Sequence, residues 1–345
     1  LNYQVTFCAD HMAAHDRYTA DLQRRGVYCL YWPYADSVQS HLKRAGARYD
    51  VILSCRPDVT EKYLPSIERY APQATVLYET VDLHYVREER QAEVERSHAL
   101  ARQASARKSQ ELRVMESVDC AIVVSERERQ LVLEELPHAK VAVVSNAHEI
   151  CTGGVPFDGR RDLCFLGGFQ HVPNIDAAMC FVREILPLVK TKIPDVKVYL
   201  IGSRAPKTVQ DLASEDVIVT GYVPDLGMYL SRCKVSVNPL RFGAGIKGKV
   251  LSSMAYGLPC VGTSLCFEGM DLREGEDVLI ADHPRQICDA IVSLYHNEAL
   301  WSKLSSNGRT VLQTRHSLAV AQRQVENMLA EIHQRRDCPM GIAAA

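Results

Sequence analysis

This chain of 345 residues is poor in aromatic side chains, in net charge and in long apolar runs. Aromatics make up 7% of it and the formal net charge is −2. So small a charge excludes nucleic-acid binding by bulk electrostatics, which needs a strongly basic surface. No apolar run approaches the ~20 residues of a membrane-spanning helix, and the first residues do not read as a signal peptide. Asp-x-Asp triplets and Cys-x-x-Cys pairs are missing, and no His/Cys cluster has ligand spacing. A metal site, a zinc knuckle and a thioredoxin-type pair are therefore not indicated. The 12 cysteines are scattered. Cys29, Cys120, Cys164 and Cys260 sit inside apolar runs, where they read as small buried hydrophobes of a reducing compartment.

What is present suits a globular protein of two α/β domains. The apolar fraction is 47%, and the length allows two ordinary cores. Residues 1–150 alternate strand-like and helix-like segments, a βαβα rhythm that predicts a parallel sheet covered by helices on both faces. The charged segment Val86–Glu116 reads as one helix with a solvated face laced by i,i+4 pairs. The Gly- and Pro-bearing stretch 151–160 reads as a linker. The rhythm then restarts over residues 161–318, with helices over Ile175–Leu186 and Asp225–Cys233 and a last strand over Asp277–Ala281. A final helix occupies 319–335, and the tail from Asp337 reads as disordered. The chain opens at Leu1, almost inside a strand, and is expected to be part of a longer polypeptide.

The richest stretch is Val235–Met270, VSVNPLRFGAGIKGKVLSSMAYGLPCVGTSLCFEGM. A short strand leads into a loop where Gly243, Gly245 and Gly248 alternate with Lys247 and Lys249, and a helix follows. Small residues let a ligand approach the backbone, a helix start offers unpaired N–H groups, and two lysines add charge, so a diphosphate would fit. The same pattern also serves a plain strand-to-helix turn with solvated lysines. Gly167 and Gly168, directly after a strand, form a second loop of this kind. His84, Asp82 and Arg87, and Arg56 with Asp58, follow strands, the end at which open α/β sheets bind ligands. His84 reads either as a site residue or as a loop-packing histidine. His171 and Asn174 read either as ligand contacts or as helix-capping residues, a role that suits Asn174.

The segments GAGIKGKVLSSMAYGLPCVGT and FEGM resemble the donor-binding part of GT-B glycosyltransferases of the family 4 type. TVDLHYVREER, SVDCAIVVSERE and VAVVSNAHE resemble the N-terminal domain of the same branch. The resemblance spans residues 3 to about 330. It implies a GT-B fold, two Rossmann-like domains with parallel sheets facing a cleft, with the final helix crossing back to the first domain. It also implies transfer of a sugar, usually with retention, from a nucleotide-sugar to a hydroxyl, without metal or cofactor. Lys247 and Lys249 would stabilise the leaving group and His84 would contact the transferred sugar. Gly167, Gly168, His171 and Asn174 would face the diphosphate, and Tyr222 and Val223 the nucleobase. Gly243, Gly245, Gly248, Ser252, Glu268 and Gly269 would complete the donor site, with Arg56, Asp82 and Arg87 on the acceptor side.

Two departures stand out. Many relatives carry glutamates where this chain has Ala244 and Ser252, and members usually open with one more strand before Tyr3. A glycan or lipid-linked glycan acceptor, bacterial surface polysaccharide synthesis and work in the cytoplasm, in peripheral contact with the inner membrane, are the implied setting. The rival expectation is a non-catalytic GT-B scaffold or glycan-binding domain. A third is an epimerase or hydrolase on the same fold.

Overall fold

The computed structural model describes residues 3–151 and 154–337. Two positions of the expected linker and the expected tail after Asp337 lie outside the described residues. The chain runs β1 (Thr6–Cys8), α1 (Asp16–Arg24), β2 (Tyr28–Leu30), α2 (Val38–Ala45), β3 (Val51–Cys55), α3 (Pro57–Tyr70), β4 (Thr75–Glu79), α4 (His84–Glu95), α5 (His98–Glu116), β5 (Cys120–Val123), α6 (Glu126–Glu135) and β6 (Val141–Val143). The second domain follows with β7 (Arg161–Leu166), α7 (Val172–Cys180), α8 (Leu186–Lys190), β8 (Val198–Ile201), α9 (Lys207–Gln210), β9 (Val217–Gly221), α10 (Gly227–Leu230), β10 (Cys233–Asn238), α11 (Gly248–Ala255), β11 (Cys260–Gly262), α12 (Ser264–Phe267), β12 (Leu279–Ile280), α13 (Pro284–His296), α14 (Glu298–Arg315) and α15 (Leu318–Asp337).

Every named pairing is parallel. In the second domain six strands pair in the order β12-β11-β10-β7-β8-β9. Strand β10 is buried along its whole length, as a central strand covered on both faces must be. Its Val235 and Val237 pack with Phe165, Phe169 and Phe181 in one core. The first domain departs from a single sheet. Strands β3-β4-β5-β6 form one ladder and β1-β2 another, and no described strand bridges them. Helix α15 returns to the first domain, where Met328 and Leu329 pack on Leu77, Cys120 and Ile122. Arg160 pins the start of the second domain, donating to the carbonyls of Val155, Leu230, Cys233 and Tyr256 at 2.7–3.0 Å.

Several expected elements are shorter or broken, each for a local reason. The segment Val86–Glu116 is two helices, because Arg96 adopts the left-handed conformation (φ 50°) and Ser97 caps α5 by accepting from the Leu100 N–H. Its charges pair mostly across elements rather than along the helix: Arg107 with Asp58, Lys108 with Glu135, Arg113 with Glu61. The helix expected over Ile175–Leu186 begins earlier and passes through a wide turn, Phe181–Ile185, ahead of Pro187, which cannot donate to the ladder. Only Gly227–Leu230 is helical in Asp225–Cys233, since the Asp225 carboxylate takes the Gly227 N–H at 2.8 Å. In Asp277–Ala281 only Leu279–Ile280 pairs as a strand. Buried Asp277 is instead held by the backbone N–H and guanidinium of Arg273.

Candidate active site

Ligand-binding loops of parallel sheets lie beyond the carboxyl ends of the strands, and here the two sets of loops meet. The loop after β4 carries Val81 at φ 67°. For a β-branched residue that is an outlier of the kind found at functional sites. Opposite it stands Gly245, at φ 66°, where an added Cβ would lie 3.0 Å from the Asp82 Cβ and 3.5 Å from the Val81 carbonyl oxygen. Only glycine satisfies both the backbone conformation and that approach. The glycine-rich loop of the second domain is thus seated directly on the segment that leads into His84.

His84 opens α4. Its ring Nδ1 faces the Asp82 carbonyl at 3.0 Å, Glu111 Oε1 at 3.1 Å and Asp82 Oδ1 at 3.3 Å. Three acceptors on one nitrogen place a proton there and leave Nε2 as the working atom. Burial alone would push the ring below its ordinary value, but the Glu111 and Asp82 carboxylates outweigh it and raise it. Glu111 is fully buried in α5 and also accepts the N–H groups of His84 and Tyr85 at 3.2 and 2.9 Å, capping α4. Glu128 makes a parallel brace. It takes the Leu83 and Val124 N–H groups, both at 3.2 Å, and burial pushes it up to about 7. Nothing in the sequence singled out these two acids.

The lysines are less free than the loop pattern implied. Lys247, buried at the N-cap of α11, donates to the Gly245 carbonyl at 2.7 Å. Lys249 donates to the Asn174 side-chain oxygen and stands 4.4 Å above the Phe165 ring. Burial lowers both amines, that of Lys249 to about 8. Asn174 is not the cap of α7. His171 takes that position without a side-chain bond, and Asn174, one turn in, donates to the Gly168 carbonyl at 2.8 Å. An added Cβ on Gly167 would come within 2.7 Å of the Asn174 side chain. The two glycine loops are therefore tied together through one Asn–Lys pair.

The remaining candidates fall around this centre. Arg87 pairs with Asp82. His171 is held down by burial and by the charges of Arg87 and Arg56, so those three share the cleft. Glu268 does not point freely into the donor site. Arg90 of α4 grips it with two bonds, 2.7 and 2.9 Å, and donates to the Gly243 carbonyl at 2.7 Å. Gly269 abuts Ser125 of the first domain. Tyr222 is exposed at the end of β9, with its hydroxyl 3.3 Å from Arg17, and Val223 packs on the core of Ile201, Leu230 and Leu258. Gly248 begins α11 and Ser252 lies half-buried one turn further on. Among the described residues, no cluster of three His, Cys, Asp or Glu side chains is placed to hold a metal, and no helix is long and apolar enough to cross a membrane.

Fold and site together define a class. The fold is GT-B, two parallel α/β domains with their carboxyl-end loops opposed. Residues 160–297 match the family described as glycosyl transferases group 1. Among solved structures, the chain is similar to sucrose-phosphate synthase from Thermosynechococcus elongatus, with TM-score 0.70 and 14% identity over 96% of this chain and 100% of that one. It is also similar to HepE of Anabaena in complex with UDP and glucose, with TM-score 0.67 and 12% identity over 93% and 90% of the two chains. A protein encoded in the cps region of Klebsiella pneumoniae, itself uncharacterized, is 23% identical over 162 residues, 44% of this chain and 42% of that protein. That match therefore spans less than half the length of the relative.

Proposed function

We propose that the protein transfers a sugar from a nucleotide-sugar to a hydroxyl acceptor. One observation carries the reading: the lysine-bearing glycine loop is closed onto the Asp82–His84 segment of the other domain. A diphosphate at the start of α11 would meet the helix dipole and the amines of Lys247 and Lys249. Its sugar would then lie toward His84. The C1–O bond to the diphosphate breaks, a C1–O bond to the acceptor forms, and the acceptor's proton leaves with the nucleoside diphosphate. Lys247, Lys249 and the helix start stabilise the charge that develops on the leaving group. His84, its Nδ1 proton anchored, offers Nε2 to a sugar hydroxyl. Retention of configuration, independence of metal and a hexosyl donor belong to this proposal, as does the acceptor side at Arg56, Asp82 and Arg87. The Klebsiella relative supports a role in surface polysaccharide synthesis, at the cytoplasmic face of the membrane.

One observation favours the non-catalytic alternative. Both amines are already bonded within the protein, to Gly245 and Asn174. Each amine therefore keeps at most two of its three N–H donors for a diphosphate, whereas a scaffold needs none. Incubation with UDP-, GDP- and dTDP-sugars, with and without EDTA, decides between them. Release of nucleoside diphosphate that survives EDTA supports the transferase. Absence of release and of nucleotide binding supports the scaffold.

A further inference from the structure

Helix α4 shows the second domain two faces. Val86 and Arg90 face Gly245 and Glu268. His84, Arg87, Glu88 and Gln91 fall at i, i+3, i+4 and i+7 and share another face. Beyond His84 this face opens on a cavity of about 210 Å³, walled by Arg87, Glu88, Gln91 and Gln103 on one side and by Gln170 and His171 on the other. That space is ample for several waters and admits a sugar ring. The walls carry little free charge. Arg87 is paired with Asp82, and Glu88 faces Arg107 through Oε1 at 3.6 Å while its buried Oε2 has no partner among the described residues, an acceptor for a hydroxyl. The amides supply the polarity. Gln91 spends one N–H on Glu95, and among the described residues Gln103 and Gln170 have no side-chain hydrogen bond, leaving donors and acceptors for hydroxyls. Distance along the helix separates this place from the reacting sugar. Arg87 stands about 5 Å and Gln91 about 10 Å beyond His84, the reach of a second ring set against one held at His84.

We propose that this cavity is the acceptor subsite and takes one uncharged pyranose unit, its hydroxyls bonded by Gln91, Gln103 and Gln170. The inference rests on the transferase reading and names its acceptor class. Saturation-transfer NMR on the full chain tests it, with methyl α-D-glucopyranoside, -galactopyranoside and -mannopyranoside as neutral probes and glucuronate as the charged control. At least one neutral glycoside should receive saturation and keep it when UDP is present. The Gln91→Ala, Gln103→Ala double variant should lose at least fivefold of that signal while its UDP affinity, by calorimetry, stays unchanged. No neutral signal, a signal indifferent to the double variant, displacement by UDP or a preference for glucuronate would each overturn the subsite. Glycoside binding in a protein that binds no nucleotide would instead defeat the transferase reading, and the acceptor role with it.

Discussion

Glu111 holds His84 twice, by its backbone N–H at 3.2 Å and by its ring Nδ1 at 3.1 Å. One buried carboxylate thus caps α4, fixes the tautomer of the histidine and favours its protonated form. Replacing it with Gln keeps the shape and removes the charge. Glu111→Gln should lower the titration midpoint of His84, followed by two-dimensional NMR of the ring nitrogens, and cost about 1–3 kcal/mol of stability through the weakened cap. The sign follows from the raised value. The pair's stabilisation is complete below the unfolded value near 6.5 and is lost as pH rises through the folded one. A His84 titration unmoved by the substitution would show that Glu111 is a cap and nothing more.

The buried amine of Lys249 makes a prediction in pH. Its value near 8 means that the free site loses a cation above that pH, where an ordinary lysine would stay charged to about 10. Nucleoside diphosphate affinity should therefore be flat from pH 7 to 8 and fall above it, by up to roughly tenfold per pH unit until the bound-state value is passed. Calorimetric affinities constant to pH 9.5 would remove Lys249 from the phosphate site.

The resemblance implies an acid at the position of Ser252. A carboxylate accepting both ribose hydroxyls makes stronger bonds than one short hydroxyl, so donor affinity should be modest and Ser252→Glu should improve it by about 1–2 kcal/mol, roughly five- to thirtyfold. If the pocket has instead closed over Ser252, the new acid is buried without a partner. The melting temperature then falls and no nucleotide binding appears.

Arg160 offers a test of the fold apart from the site. Its guanidinium serves four carbonyls and lies 5.0 Å from the centre of the Trp301 ring. Arg160→Ala leaves those acceptors without their donor and should cost about 3–5 kcal/mol, read by denaturant unfolding. A loss under 1 kcal/mol would show that solvent replaces the contacts.

Much of this was legible beforehand because it is local. The alternation of strands and helices and the glycine-rich loop follow from apolar period and turn residues. The break at Arg96 was not legible, since arginine carries no signature for a left-handed C-cap and α5 starts one residue after Ser97. Glu111 and Glu128 were hidden for a different reason. Each sits among other charges, and only the packing of α5 and α6 on the sheet decides which carboxylate is buried and which is solvated. The same holds for Glu268: its motif was visible, but its pairing with Arg90 depends on how the domains meet. The choice for Asn174 between cap and ligand contact stayed open, because its bond to Lys249 forms only when the two glycine loops meet.

The central claim is that Lys247 and Lys249, at the start of α11, receive a diphosphate. Calorimetric titration of UDP, GDP, ADP and dTDP into the unmodified protein and into Lys249→Ala at pH 7 tests it most directly. The account predicts that at least one nucleotide binds and that the substitution weakens it roughly tenfold or more, in a variant whose melting transition shows that it stays folded. Binding equally tight in both proteins, or no binding of any nucleotide to the unmodified chain, would contradict it.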